Sequence, residues 1–105
     1  MNWYVAEAVF ESVVEAAAPD YLPLVERSWF LISAPDEEMA QAKAVALATA
    51  RQESYSNVAG ETVRWPLRRI ERVREVMDRV LGDGTEVWSV IDRPGKVAEM
   101  DTGQR

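Results

Sequence analysis

The amino-acid sequence predicts an α+β fold: a four-stranded, mainly antiparallel sheet in the order β-β-α-β-β, with one long helix packed on one face. Two stretches of alternating apolar residues, an alanine-rich stretch with helical spacing and two further strand-like stretches predict this order. Because a helix and a sheet each have one apolar side to bury, the helix is expected to cover the sheet. We expect a single domain at 1–92 and a polar C-terminal tail at 93–105.

The first two strands are predicted at 3–14 and 22–33. Even positions of the first stretch are nearly all apolar, whereas odd positions mix apolar residues with Glu7 and Glu11. This period of two is typical of a half-buried strand. The connection at 15–20 is short, so the two strands are expected to form an antiparallel hairpin.

The helix is predicted from about 36 to about 53. Ser33 and Asp36 have the spacing of a capping box, and Pro35 suits the start of a helix. One face of the helix is predicted to consist mainly of alanine, which would let the helix approach the sheet closely; its residues are Met39, Ala40, Ala44, Leu47 and Ala48. Asn57 and Gly60 are expected to stop the helix, because both residue types tolerate the left-handed conformation.

The rest of the chain is predicted to add two strands. The third strand begins at 61 and runs to about 75, with Pro66 requiring an edge strand or a bulge because proline has no N–H to donate. A short helical turn is predicted at 77–81, a tight turn at the Gly-Asp-Gly of 82–84 and the last strand at 85–91.

The composition excludes several chemistries. The chain has neither cysteine nor histidine. It can therefore form no disulfide, offers no thiolate or imidazole ligand to a metal, and lacks histidine, the commonest general base in enzymes. An enzyme would need a pair of carboxylate, tyrosine or lysine groups in a closed pocket, and no such constellation is recognised. We therefore predict a protein without catalytic activity, cofactor or metal.

Charge restricts the partners. The net charge is −6, yet residues 64–74 carry five arginines and one glutamate. An acidic chain repels nucleic acid, so no nucleic-acid binding is predicted. Glu7, Glu11 and Glu15 interrupt the apolar N-terminal run, which therefore fits neither a signal peptide nor a membrane span, and a cytoplasmic location is expected.

Three motifs carry a resemblance to a known family. WYVAEAVFESVVE, ESYSNVAGETVRW and GDGTEVWS occur in this order, and together they resemble the bacterial family catalogued as domain of unknown function 4288, over roughly residues 1–91. The resemblance implies no activity that can be carried over. The family's motif positions correspond here to Trp3, Tyr4, Phe10, Glu11, Tyr55, Asn57, Gly60, Glu61, Trp65, Gly84, Thr85 and Glu86.

Candidate interaction residues come from these motifs and from the tryptophans. Asn57 and Gly60 also serve as turn residues, and core packing is the alternative role for each tryptophan. The set is Trp3, Glu11, Tyr55, Asn57, Glu61, Arg64, Trp65, Glu86 and Trp88.

The arginine strip has two interpretations. In the first, one strand face binds phosphates or an acidic partner through three arginines, which are Arg64, Arg68 and Arg72. Alternatively, the arginines pair with glutamates of neighbouring strands and fix the strand register, which we favour. The candidate glutamates are Glu7, Glu11, Glu26 and Glu86.

The function predicted from these features is a non-catalytic protein-interaction module. Apolar residues recur on both faces of three predicted strands, but the chain offers one long helix, so a second copy is expected to cover the other face as a homodimer. The alternative is an acidic neutralising protein of the antitoxin or immunity kind. A small enzyme or a small-ligand-binding protein is the least favoured reading.

Overall fold

A computed structural model of the chain describes residues 1–94. These residues form one helix and six strands. In chain order they are β1 (Asn2–Glu11), β2 (Val13–Val14), β3 (Val25–Ala34), α1 (Glu37–Ala50), β4 (Ser54–Ser56), β5 (Thr62–Arg64) and β6 (Leu67–Val76). The fold is α+β, as predicted. The predicted polar tail at 93–105 lies almost wholly outside the described residues.

Two small antiparallel sheets replace the single four-stranded sheet that was predicted. Sheet A has the order β3-β1-β6 and sheet B the order β2-β5-β4. The predicted hairpin between the first two long strands is confirmed, since β1 pairs with β3 from Asn2–Ala34 to Glu11–Val25. The central strand of sheet A is thus the first strand of the chain.

The two sheets share one strand pair, which is interrupted between them. β1 is followed by β2 after Ser12, and β5 is followed by β6 after Trp65 and Pro66, so each sheet contains one half of the same pair. At this interruption the Glu11 N–H still donates to the Pro66 carbonyl at 3.3 Å. The Ser12 hydroxyl is buried and accepts from the Leu24 N–H at 2.8 Å. Pro66 cannot donate to a ladder, which explains why the predicted strand at 61–75 is divided.

The helix covers one face of sheet A through alanine. Ala40, Ala44 and Ala48 are fully buried, as predicted, but Met39 and Leu47, which were predicted to lie on the same face, are 47% and 46% exposed. The three alanines lie in two core clusters with side chains from the facing strands, among them Tyr4, Ala6, Ala8, Phe10 and Ile32.

The helix begins at Glu37, close to the predicted position, but its cap differs from the predicted capping box. Asp36 is the N-cap, and a carboxylate oxygen of Asp36 accepts from the Met39 N–H at 2.8 Å. Ser33 belongs to β3 instead. It is the side chain of Asp36, directly before the first helical residue, that reaches a free N–H group of the first turn.

The segment after β6 differs from its prediction. Residues 77–81 form no helical turn and residues 85–91 form no strand, although the turn at 82–84 is present, with the Thr85 N–H donating to the Gly82 carbonyl at 3.1 Å. Val87, Val90 and Ile91 are exposed. The alternating apolar residues of segment 85–91 therefore form no buried face. Without burial, an isolated alternating segment does not become a strand.

Candidate functional site

The face of sheet A opposite the helix is the largest continuous candidate surface. Because residues paired across strands share a face, the register defines this open face. Its residues are Trp3, Val5, Glu7, Val9 and Glu11 on β1, Val25, Arg27, Trp29, Leu31 and Ser33 on β3, and Arg69, Arg72, Arg74 and Val76 on β6.

The three strands give the open face three different columns. On the central strand Val5 and Val9 are buried between the longer neighbouring side chains. On β3, Trp29 is 52% exposed and Leu31 is 45% exposed. The β6 column is arginine over most of its length. An aromatic and aliphatic column thus lies on one edge of the face and a basic column on the other.

Ion pairs connect the side-chain columns of the three strands. Glu7, buried on the central strand, lies 3.1 Å from Arg27 of β3 and 3.9 Å from Arg72 of β6. Glu71 lies 2.8 Å from Arg69 and 3.6 Å from Arg27. Arginines from both outer strands therefore meet carboxylates in the middle of the face, and this arrangement is possible in only one strand register.

The pKa of the Glu71 carboxyl group is shifted, as expected in such a network of ion pairs. The hydrogen bond from Arg69 lowers the pKa of the Glu71 carboxyl below its ordinary value, and the nearby charges of Arg69 and Arg27 lower it further. Partial burial of the carboxyl opposes this effect. The carboxylate is thus held in its charged form.

The arginine strip serves mainly inside the fold. Arg72 pairs with Glu7, and Arg68 pairs with Glu11 at 2.9 Å. Pairing of these arginines with Glu26 or Glu86 is not found within residues 1–94. Arg64 lies in sheet B and is exposed, so the three arginines do not share one strand face.

One end of the open face carries a segment from after β6. The Trp88 ring lies 4.8 Å from the Arg74 guanidinium, which also donates to the Ser89 carbonyl at 2.6 Å. A groove of about 400 Å³ beside this contact is lined in part by Glu86 and Trp88. These two predicted site residues thus lie near each other, beside Arg74.

The middle motif folds as a hairpin between β4 and β5. The Asn57 side chain accepts from the Ala59 and Glu61 N–H groups, each at 3.0 Å, and donates to the Glu61 carboxylate at 3.1 Å. Gly60 adopts φ +81°, in the left-handed region. The turn role of Asn57 and Gly60 is confirmed. Glu61, which the sequence did not assign to the turn, belongs to it.

Tyr55 and Trp65 flank this turn and touch each other. The Trp65 indole N–H donates to the Tyr55 hydroxyl at 3.0 Å. The nine residues singled out in the sequence therefore lie in separate places: Trp3 and Glu11 on the open face, Tyr55, Asn57, Glu61, Arg64 and Trp65 on and beside the hairpin, and Glu86 and Trp88 beside Arg74.

The sequence-based set left out residues that dominate the exposed surface. Val25, Trp29 and Leu31 are exposed apolar side chains of the open face. Arg27 pairs with the carboxylates of both Glu7 and Glu71. The sequence of the second predicted strand, 22–33, could have pointed to Trp29 and Leu31, because it has apolar residues at both odd and even positions. Such a pattern indicates a strand that is covered on two sides.

The described residues offer no familiar catalytic or metal centre. Within 1–94, no three acidic side chains lie close enough to hold a metal ion. No helix in this part of the chain is long and apolar enough to cross a membrane.

The fold and its surfaces define a small α+β protein with an open, half-apolar sheet face. Over residues 3–89 the chain matches the family described as "Domain of unknown function (DUF4288)", and it belongs to that family. No curated protein and no solved structure matches it significantly.

Proposed function

We propose that the chain is a non-catalytic protein-interaction module that self-associates as a homodimer through its open face. The observation that carries this proposal is the exposure of Trp29 and Leu31 on the outer strand β3 of the open face, beside the buried Val5 and Val9 of the central strand. Large half-exposed apolar side chains on a continuous sheet surface favour a partner, because burial removes their apolar area from water.

The open face is complementary to itself. Rotation of a second copy by 180° about an axis parallel to the strands brings β3 of one copy over β6 of the other. The column with Trp29 and Leu31 then meets the column with Arg69, Arg72 and Arg74. Guanidinium groups pack well on indole faces, and the chain already contains such a pair in Arg74 and Trp88.

Sedimentation equilibrium at micromolar concentration tests the proposal. We expect a mass twice that of the 11.8-kDa chain. Leu31→Arg is expected to return the mass to that of one chain, because it removes apolar area and places a further guanidinium against the arginine column of the other copy.

The matched control is Leu47→Arg. Leu47 is 46% exposed on the helix, against 45% for Leu31, so both substitutions replace an equally exposed leucine. The control is expected to remain dimeric, with an unchanged circular dichroism spectrum for both variants. A single-chain mass for the unsubstituted protein contradicts the proposal, and so does a dimer that Leu47→Arg dissociates and Leu31→Arg does not.

A further inference from the structure

A second surface lies on the helix side of sheet A, where the C-terminus of α1 meets the ends of the strands. Two adjoining clefts of about 290 Å³ and about 280 Å³ share four lining residues, which are Phe10, Glu26, Arg51 and Glu53. Phe30 lines the first cleft, and Tyr55 and Trp65 line the second. We refer to the two together as the junction cleft.

The charges of the junction cleft favour a cation. Neither Glu26 nor Glu53 takes part in an ion pair within residues 1–94. The helix also ends here, with Arg51 as its C-cap, and a helix C-terminus adds a partial negative charge. Against these, the lining contributes one base, Arg51.

The walls of the junction cleft are aromatic, which suits a guanidinium in particular. Arg51 already lies 4.9 Å from the centre of the Phe30 ring, so the cleft holds one guanidinium on an aromatic face. Tyr55 is 46% exposed, and the hydrogen bond from Trp65 fixes the two rings relative to each other. Ordered aromatic faces beside carboxylates attract planar cations more strongly than either group alone.

We propose that the junction cleft binds an arginine side chain of a partner protein, held between the Tyr55–Trp65 pair and the carboxylates of Glu26 and Glu53. The net charge of −6 favours a basic partner in the same sense. An anionic ligand is disfavoured because it would meet two carboxylates for one arginine. The site lies on the opposite side of sheet A from the proposed dimer surface.

The probe is the peptide acetyl-Gly-Arg-Gly-amide, titrated into the ¹⁵N-labelled protein while the indole N–H resonance of Trp65 is followed by NMR. That resonance is assigned by its loss in Trp65→Phe. We expect a saturable shift in the millimolar range, roughly the affinity of one cation–π contact with an exposed ion pair. The same peptide with citrulline, which keeps the shape of arginine without its charge, is expected to leave the resonance in place.

Two substitutions locate the site. Glu53→Gln is expected to weaken arginine-peptide binding by about twofold to fivefold, the range of an exposed ion pair. Glu38→Gln is the matched control, because Glu38 is also an exposed helix-associated carboxylate but lies about 20 Å from Arg51 along the helix axis. The control is expected to change binding by less than about 1.5-fold.

Three results would each overturn the proposal: no shift with the arginine peptide, an equal shift with the citrulline peptide, or equal weakening by Glu38→Gln and Glu53→Gln. Repeating the titration on Leu31→Arg separates this site from the proposed dimer. The arginine peptide is expected to bind that variant with unchanged affinity, and loss of binding there assigns the shift to the dimer surface and not to the junction cleft.

Discussion

Glu7 places a carboxyl group at a buried position of the open face. Its side chain is 9% exposed, and one arginine reaches it from each neighbouring strand. A carboxylate in such a place loses most of its hydration, so it is tolerated only with charged partners. A slip of either outer strand by one residue would leave it unpaired. Glu7 thus contributes more to the choice of strand register than to the total stability.

Glu71 gives a residue-level prediction on acidity. Its carboxyl pKa lies below the ordinary value of 4.5, chiefly through the Arg69 hydrogen bond. Because the lower pKa belongs to the folded state, the carboxylate favours folding above its ordinary titration range, and this contribution is lost as the pH falls through the folded pKa. We expect Arg69→Gln to raise the pKa of Glu71, as measured by NMR of its side-chain carboxyl carbon. An unchanged pKa would show that Arg69 does not set it.

The ion pairs illustrate how far single residues can be predicted from sequence. The alternation of β1 predicted that Glu7 and Glu11 share a face and meet arginines, and both do so. Arg27 was not recognised, because its role depends on β3 lying beside β1 at a particular register. Likewise, the contact of Arg51 with Phe30 joins a helix end to a strand. The sequence pattern of either element alone contains no information about that contact.

The helix gives a prediction at the level of elements. Ala44 is fully buried between α1 and sheet A, and a larger side chain there has to displace the helix or its neighbours. Ala44→Leu is expected to lower the free energy of unfolding by about 1–3 kcal/mol through overpacking. Chemical denaturation followed by circular dichroism measures the change.

The control for the helix prediction is Ala42→Leu. Ala42 is exposed on the same helix, so this variant makes the same chemical change without the packing conflict and is expected to stay within about 0.5 kcal/mol of the unsubstituted protein. Equal effects at positions 42 and 44 would contradict the packing assigned to this face.

Elements with local signals were predicted better than those that depend on distant partners. The strong alternation of β1 and the alanine spacing of α1 located both elements, although the helix ends at Ala50 and not near 53. The segment at 85–91 alternates as well, yet it forms no strand. Periodicity shows that a segment could line a sheet, whereas a strand also needs an edge at which its backbone is paired.

At the scale of the whole molecule, the interruption at Ser12 and Pro66 decides the architecture. Without it, β1–β2 and β5–β6 would form one long strand pair; with it, the same pair contributes to two sheets. The proline was visible in the sequence, where it predicted an edge strand or a bulge, and not the division of the strand into β5 and β6. That Ser12 lies across from it followed only from the pairing of segments more than fifty residues apart.

The place of β1 in sheet A also has a consequence for how the protein is made. The central strand is synthesised first, but one of its two neighbours, β6, is completed only at Val76. Until then, a nascent chain exposes one edge of β1 and the underside of the helix, where Ile70 and Val73 later pack. Folding therefore waits for a late, distant pairing, which is slow and leaves the growing chain prone to aggregation.

A truncated chain of residues 1–66 reproduces that stage. We expect it to lack the dispersed amide spectrum of a folded protein, whereas residues 1–94 retain it. A folded 1–66 fragment would show that the first strand can be supported without β6 as it leaves the ribosome.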